Sequence, residues 1–245
     1  RSRHDGVYPD RVVFNLFATE TNRHEGSMEA QILQLMGVRP VWDPRGRVNG
    51  VELIPTEELG RPRVDVTVVP SGLYRDQFPV LMQLLDDAVS LVREAAADGN
   101  PLRSNVDAML ATLMQQGLDA DAARRIASVR VFTEPTGVYG TGLETVIQAD
   151  QSWEEESELS DVYFRRVGHL FGQGFWGDVD TEGSLEPQLA EAVFKAALSG
   201  AKAVVHSRSS NIYATLDNDD FYQYLGGTAM AIRQIDGSTP ETLVA

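Results

Sequence analysis

The sequence has no cysteine, which removes disulfides, iron–sulfur clusters and thiolate zinc sites from consideration. A chain without cysteine fits a reducing compartment, and a cytoplasmic location is the expectation. Basic residues are the scarcer charge: 21 Lys and Arg stand against 36 Asp and Glu, for a formal net charge of −15. That balance argues against nucleic-acid binding, which depends on Lys and Arg releasing counterions, and against adsorption to anionic lipid. No apolar run approaches the ~18 residues of a membrane span, and no signal peptide is present, so no membrane insertion is expected. A phosphate-binding glycine loop and a nucleophile elbow are also missing, which weakens the reading of an independent α/β enzyme acting on a small acid. The chain opens at Arg1 instead of methionine and reads as a piece of something longer.

What is present is a strand–helix alternation over 245 residues, read as one α/β domain spanning residues 1–245. The Val64 to Val69 run is β-branched apart from Asp65, as a strand buried on both faces favours. Pro70 then ends its ladder for want of an N–H, and Ser71-Gly72 turns into a helix with Phe78, Leu81, Met82, Leu85, Val89 and Val92 on one face. Further strands are expected at Arg11 to Phe17, Val38 to Trp42, Val129 to Phe132 and Lys202 to His206. Right-handed crossovers make this a doubly wound, mostly parallel five-stranded flavodoxin-like sheet of order 2-1-3-4-5, with Val64 to Val69 central. Residues 101–127 and 143–200 exceed one crossover helix each and are expected to be helical insertions. A last helix is expected from Asp219 to Ile235.

Ligands of open α/β sheets bind outside the carboxyl ends of the strands. The loops gathered there carry Glu20, Arg23, His24 and Glu25; Ser71, Arg75 and Asp76; Tyr139 among glycines; and His206, Ser207, Arg208, Ser210 and Asn211. His24-Glu25 opens a helix and suits either a favourable helix dipole or a base and metal-ligand role. Asp217-Asn218-Asp219-Asp220 lacks the later glycine and glutamate of an EF-hand and is expected to cap the last helix. Gly137, Gly140 and Gly142 do not have the dinucleotide spacing. His169 is expected to be a packed histidine on a helix. Arg75 and Arg208 are placed to hold carboxylates bidentately, or alternatively to pair structurally with Asp76 or Asp220.

Several stretches in one order carry a resemblance across almost the whole chain. These are Arg11 to Phe17; His24-Glu25-Gly26; Gly37-Val38-Arg39-Pro40-Val41-Trp42-Asp43; Leu59 to Val66; Ser71 to Asp76; Gly137 to Gly142; Trp153; and His206 to Asn211 with Leu216 to Gly227. Together they resemble the C-terminal part of the large subunit of aerobic cobaltochelatase, and more distantly that of magnesium chelatase. The resemblance implies ATP-driven insertion of cobalt into hydrogenobyrinic acid a,c-diamide during cobalamin biosynthesis. Cobalt(II) is then the substrate metal, no cofactor is bound tightly, and ATP is used by partner AAA+ subunits. The implied partners are those subunits, the tetrapyrrole and the rest of the large subunit. A His-Gly…Glu…Pro-Gly-Lys stretch of that subunit is absent here, so the piece is expected to supply one wall of the site and to be inactive alone.

Insertion strips water from a divalent ion and removes ring N–H protons, which calls for imidazole or carboxylate groups. His24 and Glu25 are the candidate catalytic residues, and His24 and His206 the candidate metal contacts. Ser71, Arg75, Tyr139, Arg208 and Asn211 are the candidate tetrapyrrole contacts, the arginines meeting its peripheral carboxylates. The competing readings are a non-catalytic flavodoxin-like assembly module and a magnesium–protoporphyrin chelatase subunit.

Overall fold

Residues 6–149, 153–180, 183–208 and 218–245 are described by a computed structural model of the chain. Its strands are β1 (Arg11–Leu16), β2 (Val38–Trp42), β3 (Val48–Leu53), β4 (Asp65–Pro70), β5 (Val131–Thr133), β6 (His169–Gly172), β7 (Phe175–Trp176), β8 (Val179–Asp180), β9 (Gly183–Ser184), β10 (Ala203–His206) and β11 (Glu241–Val244). Seven of them form one sheet in the order β11-β10-β1-β4-β5-β6-β7. The pairings from β11 across to β5 are parallel, and those of β5 with β6 and β6 with β7 are antiparallel. β4 is central, with every residue buried, as its valine content requires.

The expected order 2-1-3-4-5 is corrected in two places. β2 leaves the sheet and pairs antiparallel with β3 as a separate ribbon, while β10 occupies the position beside β1. The physical reason is in β2 itself: Pro40 lacks a ladder donor, and only Val38 of the five residues is buried. The short tail then adds β11 outside β10.

The helices are α1 (Ala18–His24), α2 (Ser27–Met36), α3 (Thr56–Leu59), α4 (Gly72–Gln77), α5 (Pro79–Glu94), α6 (Pro101–Gln115), α7 (Ala120–Ser128), α8 (Leu143–Gln148), α9 (Glu156–Val167), α10 (Pro187–Leu198) and α11 (Gly227–Asp236). Residues 101–127 are helical as expected, but 143–200 also contain β6 to β9. There α9 stops at Gly168, so Leu170 and His169 lie in a strand, where His169 pairs with Asp178 at 2.5 Å. Gly172 permits the sharp turn out of β6: its φ is +98°, and a Cβ would fall 2.5 Å from the Asp86 carboxylate. The expected last helix exists as a π-helix, Phe221–Gly226, continuing directly into α11.

Charge is handled differently at the two ends of the strands. At the amino ends, Asp65 is fully buried and accepts from Arg11 Nη2 at 2.9 Å, Arg130 Nε at 2.7 Å and Asn105 Nδ2 at 2.8 Å. Burial alone would raise its pKa, yet the Arg130 and Arg11 guanidiniums hold it at about 2. At the carboxyl ends, β1 pairs Asn15 with His206 of β10 and Leu16 with Pro70 of β4. Three chain exits, at Phe17, Ser71 and Ser207, therefore emerge side by side.

Candidate functional site

A cavity of about 390 Å³ lies over those exits. Phe17, Glu20 and Arg23 line it from β1 and α1, Ser71 and Leu73 from β4 and α4, and Tyr139 from the loop after β5. His206 and Arg208 come from β10, and Asp220, Phe221, Gln223 and Tyr224 from the π-helix and its start. Strand ends and helix starts fix each backbone, and polar side chains fill the space between them, the arrangement of a ligand site on a parallel sheet.

His206 is the best-defined group here. It is 2% exposed, its ring stacks on Phe221 at 4.5 Å and lies 4.8 Å from Phe17, and its Nδ1 has no partner among the described residues. Burial lowers its pKa to about 4 against the opposing pull of Glu20, so the imidazole is neutral near pH 7 and keeps a lone pair. Asp220 is shifted the other way: burial first, then Asp219 and Glu20, raise it to about 6. A carboxyl tuned near neutrality exchanges protons readily. Arg23 pairs with Glu20 at 3.0 Å, and Arg208 lies over the Phe221 ring at 5.4 Å. The cavity thus offers a neutral imidazole, two carboxyl groups and two guanidiniums to one ligand.

The expected residues divide. Ser71, Tyr139, His206 and Arg208 line the cavity, Ser71 also capping α4 by accepting from Tyr74 N at 3.3 Å. His24 lies behind the cavity, with Nε2 3.1 Å from Ser207 Oγ and a buried Nδ1 that has no partner among the described residues. Glu25 is exposed, ends α1 in a left-handed conformation (φ 52°) and does not line the cavity. Arg75 does not line it either. Its side chain is fully buried under the loop after β5, with Nε donating to Asp76 Oδ1 at 2.8 Å. Its Nη1 donates to the carbonyls of Glu134 at 2.6 Å, Pro135 at 2.9 Å and Val138 at 3.3 Å. Asn211 and Ser210 lie outside the described residues. Among the described residues, no three His, Asp or Glu converge as a metal-ligand cluster.

Sequence reasoning missed Asp220, Phe221, Gln223 and Tyr224. Read as cap and helix, they enter because the first turn of that helix is π and faces the cavity. Gln223 accepts from Thr141 N at 3.3 Å and donates to Asp219 at 3.0 Å, tying this turn to the glycine loop. Tyr224 donates to buried Glu134, whose other oxygen accepts from Thr133 at 2.5 Å. The signal that could have found them was the run of aromatic residues directly after four acidic and amide residues, too polar at its start for a core helix.

A family model described as CobN/Magnesium Chelatase matches residues 1–245. The aerobic cobaltochelatase subunit CobN of Sinorhizobium sp is 35% identical over 238 residues, which is 96% of this chain and 18% of that protein. The H-type large subunit of magnesium chelatase from Chlorobaculum parvum is 31% identical over 245 residues, 98% of this chain and 18% of its own length. A solved structure titled catalytic subunit of cobaltochelatase from Mycobacterium tuberculosis superposes with a TM-score of 0.84 at 31% identity, covering 99% of this chain and 19% of that one. The chain therefore spans under a fifth of the length of these relatives. No described helix is long and apolar enough to cross a membrane.

Proposed function

The chain belongs to the CobN/magnesium chelatase family, and from that membership we propose that it forms one wall of the tetrapyrrole site in a metal-chelatase large subunit. The reaction is insertion of cobalt into hydrogenobyrinic acid a,c-diamide, with ATP hydrolysed by separate AAA+ subunits. The observation that carries the reading is the juxtaposition of neutral, buried His206 with Asp220, Glu20 and Arg208 around one cavity. Insertion exchanges ring N–H protons for one divalent ion, one proton from a corrin and two from a porphyrin. His206 offers the ion a nitrogen ligand as water leaves, Asp220 and Glu20 accept protons, and Arg208 meets a peripheral carboxylate. His24 acts through Ser207, by orienting its hydroxyl at the cavity edge. A cavity of about 390 Å³ is small for a whole macrocycle, which suits a wall completed by the remainder of the subunit.

The test uses the complete large subunit with its ATPase partners. Cobalt should enter the corrinoid precursor, and Arg208→Ala should weaken tetrapyrrole binding roughly tenfold, the loss of one charge-assisted bond, at unchanged melting temperature. Unchanged affinity would remove Arg208 from the site, and no cobalt insertion by the wild-type complex would overturn the cobalt assignment. Magnesium is the second reading, favoured by the 31% identity to a magnesium-chelatase large subunit over 98% of the chain. Magnesium entry into protoporphyrin by the same complex would establish it instead.

A further inference from the structure

Arg75 has the contacts of a scaffold and the location of a functional residue. Its guanidinium is enclosed: Nη1 faces three carbonyls of the 134–138 loop, Nε donates to Asp76, and Nη2 is buried without a partner among the described residues. Asp76 in turn accepts from the Tyr139 hydroxyl at 2.6 Å through its other oxygen. The Arg75 guanidinium also lies 5.6 Å from the Tyr139 ring centroid, within cation–π range. A second element closes on the same loop: a Cβ on Gly72 would fall 2.7 Å from the Val138 carbonyl and 3.0 Å from the Tyr139 ring. Tyr139 is nevertheless 54% exposed and lines the cavity. A large aromatic side chain open to the cavity is thus held at its hydroxyl, at its ring and at its backbone by groups that are themselves buried or hydrogen-bonded.

We propose that Arg75 is a positioning residue which, with Asp76, holds Tyr139 as a fixed aromatic platform on the cavity wall for the flat face of a tetrapyrrole, and does not grip substrate itself. The ligand class rests on the family reading above. The positioning rests only on the contacts of this chain. The physical gain is preorganisation: an aromatic ring already immobilised loses little freedom when a macrocycle stacks on it, so the contact is made at small entropic cost. The division of contacts explains why the anchor is arginine: Nη1 meets the loop carbonyls while Nε meets Asp76, two separate places that the single ammonium of lysine does not reach together.

The test uses the full-length large subunit with 3-fluorotyrosine at position 139, in the wild type and in Arg75→Lys and Asp76→Ala. The second variant changes a partly exposed side chain and covers the case in which the first fails to fold. Without ligand, the wild-type fluorine signal should be shifted from that of free fluorotyrosine and broadened by immobilisation. In both variants it should narrow and move toward the free value. An unchanged signal in a folded variant overturns the positioning role, whether or not any tetrapyrrole binds. With hydrogenobyrinic acid a,c-diamide, Asp76→Ala and Tyr139→Leu should each raise Kd about three- to tenfold, and the double variant should be no worse than Tyr139→Leu alone. Multiplying effects in the double variant, or a lowered melting temperature with unchanged Kd, would mean that Arg75 and Asp76 do not act through Tyr139. A wild-type subunit that binds no tetrapyrrole would overturn the ligand assignment and leave the fluorine result to judge the positioning alone.

Discussion

The two ends of the parallel sheet treat buried polar groups in opposite ways. At the amino ends, Arg11 and Arg130 converge on Asp65, and their remaining donors reach main-chain carbonyls of Ala196, Ser199, Ala127 and Val129. At the carboxyl ends and in the elements that follow them, atoms are left over. Among the described residues, the buried side-chain polar atoms without a partner are on Asn15, His24, Glu29, Arg75, Glu144 and His206. Buried polar groups are nearly always paired, and of these residues His206 lines the cavity, where its unpartnered Nδ1 is available to a ligand. One end is built to hold strands together, and the other is built to accept something.

Three experiments would break or sharpen that contrast. The largest effect is expected from Asp65→Ala, which leaves two buried guanidiniums uncompensated and should cost about 3–5 kcal/mol in urea melts. His206→Phe, its counterpart at the other end, should cost under about 1.5 kcal/mol, since the ring can still pack on Phe221 and Nδ1 has no hydrogen bond among the described residues to lose. Equal costs would erase the distinction between the ends.

Acid separates the ends next. Asp65 is lowered from 3.8 to about 2, so its contribution is present above pH 4 and lost as pH falls from 4 toward 2, roughly 2–3 kcal/mol. His206 is lowered from 6.5 to about 4, so its contribution is lost earlier, as pH falls from 6.5 to 4. Asp220, facing Glu20 and Asp219, is raised from 3.8 to about 6 and works in the reverse direction: stability is gained as pH falls through 6. The two carboxyl-end groups should nearly cancel. Melting temperature should therefore change little from pH 6.5 to 4 and fall steeply below 4. Asp220→Asn should uncover a decline between 6.5 and 4, and His206→Gln a rise. Identical profiles for both variants would show that neither group titrates as its burial implies.

A more local effect is expected from Gly72→Ala. The added methyl must displace the Val138 carbonyl and the Tyr139 ring, at about 1–2 kcal/mol. Tetrapyrrole affinity should fall more than the global stability change accounts for, because the disturbance is confined to the loop bearing Tyr139. A melting shift with intact affinity would mean that the loop tolerates displacement.

The part of the fold that was legible in sequence was the part governed by burial on both faces. β1 and β4 are buried at every residue, and their valines and other apolar residues call for a strand covered on both faces. β2 was misplaced although Pro40 and the exposed Arg39 already argued for a marginal strand. β6 to β9 were hidden by glycines that make hairpin turns, since turn residues read as loop when the strands between them are two to four residues long. For the site, the rim was legible from topology: Ser71, Tyr139, His206 and Arg208 are brought together there. Side-chain direction was not legible. Arg75 and Arg208 both follow buried strands, yet one turns under a loop and the other over the cavity, a difference set by carbonyls of the β5 exit that no local pattern encodes.

The π-turn at Phe221–Gly226 makes the following helix a phase shifter. Each ring of an i→i+5 ladder carries one residue more than an α-turn, so side chains before and after it are rotated relative to a plain helix by on the order of 100°. Downstream, Ala231 and Ile232 keep their buried seats in the core, while upstream Asp220 and Phe221 swing to face the cavity and cover His206. A single rod thereby serves two directions that a regular helix would force into competition. The length of this segment, counted to the residue, is consequently as much a part of the cavity's chemistry as the identity of any side chain lining it.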